Sequence, residues 1–425
     1  MSTVVVGAGP GGLAVAAALQ QRGETVTVVD KAAGVGSSWR GHYDRLHLHT
    51  PRELSGLPGY PIPRRFGRWV SRDDVVRHLE LYAAHHRLDV RTGVEVTDLA
   101  QQHGGWTVTT ADGARLDAEN VVVATGYNNT PAMPTWPGTE SFTGEIIHAS
   151  AYRNGEPWRG RSVLVVGIGN TGAEIATDLV EHGAGPVWIG VRTPPYILVR
   201  DRGPMTANLL GIMVRHLPVR VVDRLQDRML RLETPDLSAH GLPRPSGGLY
   251  SKVLAGTIPV QDVGIVGSIQ SGSVVPVKSP ARFEGDEVVL TDGSRLRPDA
   301  VVVAAGYRQN LEPLVGDLGV LDARGLPRSH GAEPALPGLY FTGFTNPISG
   351  MFRELRIDAT RIARAIRPDR RAARGSRGAQ QRADPVAAAP GRVRGDEQGH
   401  DDQGDAARQH HVPSRVRGDR ESARP

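Results

Sequence analysis

The 425-residue chain contains no cysteine. That absence removes a disulfide framework, a thiolate metal site, a cysteine nucleophile and any dithiol redox centre. Aromatic residues make up only 5 % of the chain. Lysine is nearly missing too: Lys31, Lys252 and Lys278 are the only three, and the other 47 basic residues are arginine. Beside 52 glycines and 31 prolines, that skew reads as the mark of GC-rich coding. The net charge of +5, with a pI near 9.7, therefore says little about a nucleic-acid partner. Of that excess, +3 comes from the last 58 residues alone, where 12 arginines face 9 acids. No run approaches the ~18 uncharged apolar residues that span a bilayer. The chain opens on the strand-like Thr3-Val4-Val5-Val6, without a basic leader. A soluble cytoplasmic protein is expected, with no nucleic acid and no integral membrane segment.

Hydrophobic residues still form 39 % of the chain, enough to build cores, and the length suggests two or three domains. Val4-Val5-Val6 reads as a buried strand and Gly7-Ala8-Gly9-Pro10-Gly11-Gly12 as a turn. Residues 13–21 read as an Ala-rich helix ended by Gly23, and Thr25-Val26-Thr27-Val28-Val29-Asp30 as a second strand. The pattern returns after Arg161. Ser162-Val163-Leu164-Val165-Val166 is a strand, Gly167-Ile168-Gly169-Asn170-Thr171-Gly172 a turn, 173–181 a helix and 186–191 a strand. Each unit leads into an antiparallel meander and then a valine strand. The first meander spans 94–120 with a turn at Asp112-Gly113, and 288–305 holds the second meander, its turn at Asp292-Gly293 and the strand Val301-Val302-Val303-Ala304. An amphipathic helix is expected at 72–87, and a helix at about 352–366 is expected to close the fold. From 368 to 425 there is no Leu, Ile, Met or aromatic residue, so a disordered tail is expected.

The glycines carry chemical meaning through their setting. Gly7 allows the tight turn, Gly9 lets the backbone approach a pyrophosphate, and Gly12 lets helix and strand pack closely. The helix N-terminus then presents free N–H groups and a positive dipole end to a diphosphate. Asp30 lies eighteen residues past Gly12 and is placed to accept bonds from an adenosine ribose. The second turn, Gly167, Gly169 and Gly172, comes 160 residues later, and its second strand ends in Val191-Arg192. An acid there repels a ribose 2′-phosphate, whereas a guanidinium binds it through paired, charge-assisted hydrogen bonds. Arg192 thus points to NADPH, the alternative being a solvated strand-end arginine. Two dinucleotides, one resident and one exchanging, describe an FAD enzyme reduced by NADPH. Glutathione-reductase relatives share that layout but need a cysteine pair, which is lacking here.

Between the two units runs Phe142-Thr143-Gly144-Glu145-Ile146-Ile147-His148-Ala149-Ser150-Ala151-Tyr152. Its pattern, Phe-x-Gly-x-x-x-His-x-x-x-Tyr, resembles the fingerprint of class B flavin-dependent monooxygenases in their flavin-containing form. Baeyer–Villiger members usually carry Trp where Tyr152 stands. His148 is expected to fasten the linker between domains, not to transfer protons. The resemblance covers most of 1–367. Ala124-Thr125-Gly126-Tyr127-Asn128 is similar to the family's crossover segment, with Val303-Ala304-Ala305-Gly306-Tyr307 as its second copy. Gly36-Ser37-Ser38-Trp39-Arg40 resembles the Gly-x-x-Trp segment beside FAD. Arg45-Leu46-His47-Leu48-His49-Thr50-Pro51, the second glycine turn and Thr257-Ile258-Pro259-Val260-Gln261-Asp262-Val263-Gly264 resemble the YUCCA branch, whose plant members act on indole-3-pyruvate.

With the motifs, the resemblance implies an FAD site of Gly7, Gly9, Gly12, Asp30, Lys31, Ser38, Trp39, Arg40, Val96, Ala124, Thr125, Gly126 and Gly343. It implies an NADPH site of Gly167, Gly169, Asn170, Thr171, Gly172 and Arg192, and a linker motif of Phe142, Gly144, His148 and Tyr152. No metal is expected. Many other members carry an Asn near the position of His49-Thr50, and this chain does not. His47 and His49 are candidates to line that space, core or surface histidines being the alternative.

The implied fold is α/β, with two Rossmann-like dinucleotide-binding domains and a small antiparallel meander in each. The FAD domain is discontinuous (1–155 and 296–367), the NADPH domain is inserted (156–295), and 368–425 is the tail. The implied reaction is NADPH-dependent insertion of one oxygen atom from dioxygen into a small organic substrate through a flavin hydroperoxide. That substrate is a 2-oxo acid such as indole-3-pyruvate, or a nitrogen or sulfur centre. An NADPH oxidase or NADPH-sensing flavoprotein without oxygenation is the alternative. Because the flavin carries the chemistry, no catalytic residue is assigned. Pocket residues are expected from 45–63, 193–250 and 345–352. Residues 193–231 are expected to pack the substrate domain, or else to form an apolar lid or membrane-surface helix. A homodimer is left open.

Overall fold

The valine-rich runs become inner strands of two five-stranded parallel sheets, where β-branched side chains are covered on both faces. The computed structural model describes residues 2–200, 217–345, 347 and 349–367. The first sheet has the order Leu339–Phe341, Asn120–Val123, Ser2–Val6, Thr25–Asp30, Asp89–Thr92. The second has the order Val274–Lys278, Val187–Val191, Val163–Val166, Ala300–Val303, Glu145–His148. Every pairing in both sheets is parallel. In register, Val4 stands between Thr27 and Val121, and Leu164 between Trp188 and Val301. Each central strand therefore ends in its glycine turn at a point where the strand order reverses, which is where open α/β sheets bind ligands.

Two assignments differ from the sequence reading. Glu145–His148 and Ala300–Val303 belong to the second sheet, not to the flanking segments divided at 155/156 and 295/296. Their backbone pairing decides this: Ala300–Val303 pairs with Val163–Val166 on one side and with Glu145–His148 on the other. The second meander also begins earlier than expected, at Pro280–Glu284, before Glu287–Leu290 and Arg295–Leu296. The first meander, Val96–Gln102, Gly105–Thr110 and Arg115–Ala118, runs as expected.

Helix Pro10–Gln20 starts inside the glycine turn, because proline at the first helical position has no N–H to leave unpaired. Helix Arg72–His86 is capped by Ser71, whose hydroxyl accepts from the Asp74 N–H at 3.2 Å. Helix Met351–Ile366 closes the fold, with Ala359, Ile362 and Ala363 buried in the same core as helix Pro10–Gln20. Residues 46–48 run along the seam between the sheets. Leu46 is buried in the core of the second sheet and Leu48 in that of the first, while Trp39 packs against both. These elements form one unit, residues 1–372. The remainder, 373–425, the tail from 368 and the 201–216 part of the expected lid lie outside the described residues. Among the described residues no helix is long and apolar enough to cross a membrane.

Candidate active site

The two glycine turns are built alike. Gly7 has φ +112° and Gly167 φ +109°, conformations that L side chains avoid. A Cβ at Gly7 would lie 2.4 Å from the Ala124 carbonyl oxygen, and one at Gly167 2.7 Å from that of Ala304. At Gly12 and Gly172 a Cβ would lie 1.8 Å from the carbonyl oxygens of Gly7 and Gly167. The middle glycines differ in kind. Gly9 and Gly169 are extended, with ψ −176° in each, and nothing lies within 4 Å of where a Cβ would stand. The outer glycines satisfy the chain's own packing, and the middle ones leave an open cradle before a helix N-terminus. Both cradles suit a diphosphate, whose charge the free N–H groups and the dipole favour.

A cavity of about 1100 Å³ joins the two turns. Small-ligand clefts are typically ~300–1,000 Å³, so this one has room for more than a single small molecule. From the first turn outward it is lined by Gly7, Gly9, Asp30, Lys31, Ser38 and Trp39, and further along by Val96, Ala124, Thr125, Gly126 and Gly343. Asn170 and Thr171 line it from the second turn. Thr125 Oγ1 is buried without a partner among the described residues, a polar atom on the cavity wall left for a ligand to satisfy. Asp30 is held in place from two sides: one oxygen accepts from the Ala8 N–H at 2.6 Å and the other from the Ala32 N–H at 2.8 Å. Its remaining lone pairs are available to a ribose.

Other expected contacts fall outside this lining, which includes neither Gly12, Gly167, Gly169, Gly172, Arg40 nor Arg192. Arg40 is turned away: its guanidinium pairs with Glu80 and donates to the Val35 carbonyl at 3.1 Å. Arg192 follows strand Val187–Val191, is exposed, and has no ion-pair or hydrogen-bond partner among the described residues. Asn170 lines the cavity, but its amide is engaged by the chain. Nδ2 donates to the Pro259 carbonyl at 3.1 Å, and Oδ1 accepts from the Gln261 N–H at 2.7 Å. Asn170 thus clamps strand Val260–Asp262 beside the second turn.

The side chains of the linker motif make their contacts within the chain. Phe142 meets Phe283 edge-on at 5.2 Å, and a Cβ at Gly144 would strike the Phe142 ring at 2.6 Å. His148 Nδ1 accepts from the Ser150 N–H at 3.1 Å, so Nε2 carries the proton that it donates to the Gly306 carbonyl at 3.1 Å. Burial lowers the pKa of His148, which favours the neutral ring. Tyr152 donates to Asp178 Oδ2 at 2.6 Å, and burial followed by Asp178 pushes its phenol far up. The motif ties the linker to the second crossover and to helix Asn170–Glu181.

The sequence reading missed one feature of the wall. His49 Nε2 lies 2.5 Å from Glu174 Oε1, and Glu174 is only 2 % exposed. Tyr43 is buried beside the same carboxylate and near Thr171. Its hydroxyl pKa is raised well above normal, first by burial and then by the charge of Glu174. The available signal was the spacing of Glu174 and Asp178, two acids one helical turn apart on a buried face. Each needs its own partner there, and they find His49 and Tyr152. Among the described residues no cluster of three or more His, Cys, Asp or Glu side chains is arranged to hold a metal.

Residues 4–194 match the family model described as pyridine nucleotide-disulphide oxidoreductase. Over 353 residues the chain is 38 % identical to indole-3-pyruvate monooxygenase YUCCA1 of Oryza sativa subsp. japonica, a match covering 80 % of this chain and 86 % of that one. The chain belongs to the YUCCA-like class B flavin monooxygenases. Solved structures of the same fold include a flavin-containing monooxygenase from Stenotrophomonas maltophilia. Its TM-score is 0.63 at 23 % identity, covering 85 % of this chain and 97 % of that one. Cyclohexanone monooxygenase in its open form follows at TM-score 0.66 and 21 % identity, covering 86 % and 87 %. This member of the family is a flavin-dependent monooxygenase, an oxidoreductase that draws on a flavin and a nicotinamide cofactor. The family recognised from the 142–152 pattern is the one these relatives show. The disulphide chemistry in the broader family's description has no place here, since the chain has no cysteine.

Proposed function

We propose that this flavin monooxygenase holds FAD at the Gly7–Gly12 turn and NADPH at the 167–172 turn, and that it inserts one oxygen atom of dioxygen into an apolar 2-oxo acid of the indole-3-pyruvate kind. The carrying observation is the pair of like turns, each with an open middle glycine, and the one continuous cavity lined by Gly9 from the first turn and by Asn170 and Thr171 from the second. The domain division that goes with this reading gives FAD the sheet built from residues 2–123 and 339–341, and gives NADPH the sheet built from 145–303. Bound flavin supplies hydride acceptance and the activation of dioxygen. The chain supplies position and shelter. Gly9 and Gly169 admit the two diphosphates, Asp30 meets the ribose of the first, and Arg192 meets the 2′-phosphate of the second. Leu46, Leu48, Leu249, Met351 and Phe352 give the reacting space an apolar wall that excludes water. The substrate class rests on the activity named for the rice relative and on the apolar side chains of that wall. Oxygen insertion beside the carbonyl of a 2-oxo acid yields the acid one carbon shorter, carbon dioxide, NADP+ and water.

The test is direct. Purified protein should show the absorbance of oxidised flavin. With indole-3-pyruvate it should consume NADPH and dioxygen in equal amounts and release carbon dioxide. Hydrogen peroxide formed in step with NADPH oxidation, with the 2-oxo acid present and unchanged, would make the protein an NADPH oxidase instead.

A further inference from the structure

Residues 46–50 bring two histidines to the cavity with opposite tautomers. His47 Nδ1 lies 2.7 Å from the Arg45 carbonyl oxygen, which can only accept, so Nδ1 carries the proton and Nε2 is bare. His49 Nε2 lies against the Glu174 carboxylate, so in the neutral ring the proton sits on Nε2 and the lone pair on Nδ1. Nδ1 of His49 has no partner among the described residues, and the ring lines the cavity beside Leu46, Leu48 and Thr50. Glu174 is itself nearly inaccessible, on the first turns of helix Asn170–Glu181, and cannot swing away. A buried carboxylate that orients an imidazole, with the other nitrogen unpartnered among the described residues in a ring that lines a cavity, is the arrangement of a general base.

The consequence rests on the 2-oxo acid reading above. We infer that His49, positioned by Glu174, is a base that interconverts the enol and keto forms of the 2-oxo acid in this cavity. An arylpyruvate in its enol form has no electrophilic carbonyl carbon at which oxygen can be inserted. His49 Nδ1 takes the enol O–H proton, and the oxygen's electron pair re-forms the carbonyl. The carbon–carbon π pair then takes the proton back from the imidazolium at the neighbouring carbon. One O–H bond breaks and one C–H bond forms, with no oxidant or reductant. The activity is an isomerisation and runs without NADPH.

Deuterium entry at the carbon beside the carbonyl of indole-3-pyruvate, followed by NMR in D2O, reads this step. The protein is used with its flavin and without NADPH, against the same buffer lacking protein. Wild-type protein should exchange well above the buffer rate. His49→Ala and His49→Gln should each lose roughly 100-fold or more, the usual range for a general base. Glu174→Gln should lower kcat for exchange at least tenfold with little change in KM, because it keeps an acceptor for Nε2–H but not the charge. His103→Ala, an exposed histidine on the first meander, should exchange like wild type. Flavin absorbance and melting temperature, measured on each variant, show that it is folded. Wild-type exchange no faster than buffer would overturn the inference, as would undiminished exchange in both His49 variants. Coupled NADPH and dioxygen consumption on indole-3-pyruvate, with no enhanced exchange, would remove the base and keep the substrate reading. If neither exchange nor consumption occurred, both would fall.

Discussion

Gly9 and Gly12 are three residues apart and obey opposite rules. At Gly9 the backbone is extended and nothing occupies the Cβ position, so Gly9→Val suits the folded chain and fills only the ligand's space. That variant should fold, melt cooperatively and purify without flavin colour; full flavin occupancy would count against the site. Arg192→Ala tests the other cradle. A hydrogen bond to a charged group contributes about 1.5–3 kcal/mol. NADPH KM should therefore rise roughly 10–150-fold, at about 1.4 kcal/mol per decade. The NADH KM should hardly move, and the flavin spectrum should stay the same. Equal losses with both nucleotides would make Arg192 a folding residue. The constraints legible in the sequence are the local ones: Gly12 and Gly172 each answer to a carbonyl of their own turn. The partner of Arg40, Glu80, lies forty residues on, on another helix, so the segment around Arg40 does not announce that pairing. Glu174 stayed hidden because its partner His49 lies 125 residues away across the seam. The Asn170 amide bonds to Pro259 and Gln261, about ninety residues away, a pairing that its own turn does not announce.

Helix Arg72–His86 was legible at the scale of an element, since Val75, Val76, Leu79 and Tyr82 give it an apolar face. The sequence also held His78 on that face, and burial gives it a consequence. His78 is 0 % exposed, stacks on Tyr60 at 5.7 Å, and neither ring nitrogen has a hydrogen-bond partner among the described residues. Burial lowers its pKa to about 4. In the unfolded chain the ring titrates near 6.5, so between pH 6.5 and 4 the unfolded state binds the extra proton. The stability this site gives is complete above about pH 6.5 and is lost as pH falls towards 4, by up to about 3 kcal/mol. His86 nearby is lowered as well, by burial and then by His85, and adds in the same direction. Denaturant unfolding at pH 7 and pH 4.5 should show this loss in wild type and a smaller one in His78→Leu. An equal loss in both would place the acid sensitivity elsewhere. The short strand Glu145–His148 shows why some elements were not legible. Its four residues have no pattern of their own, and only the register Val303 opposite His148 makes them a strand.

At the scale of the molecule, the last described helix is latched to the first strand pair. Arg367 Nε donates to Glu24 Oε2 at 2.6 Å, Thr3 Oγ1 donates to Glu24 Oε1 at 3.0 Å, and Arg22 donates to the Arg367 carbonyl at 2.7 Å. The Glu24 side chain is fully buried and that of Arg367 is 34 % exposed. Arg367→Ala should cost about 2–3 kcal/mol, somewhat below the ~3–5 kcal/mol of a fully buried pair, because the part-exposed arginine is already screened by water and its removal opens Glu24 to solvent. A chain ending at Arg367 keeps the latch and gives up no Leu, Ile, Met or aromatic residue, so it should keep its flavin and its melting temperature. A clear drop in either would assign the removed residues a part in the fold. The sequence could not announce this latch, because Thr3, Glu24 and Arg367 meet only when the first sheet has formed. Yet it brings the first described strand and the last described helix together: Thr3 and Arg367 grasp opposite oxygens of one carboxylate. Residues 2 and 367 can therefore be joined by a short flexible linker, and the chain reopened at the exposed Asp112-Gly113 turn of the first meander. Such a circular permutant keeps both glycine turns and the whole cavity on unbroken chain, and it should purify with its flavin bound.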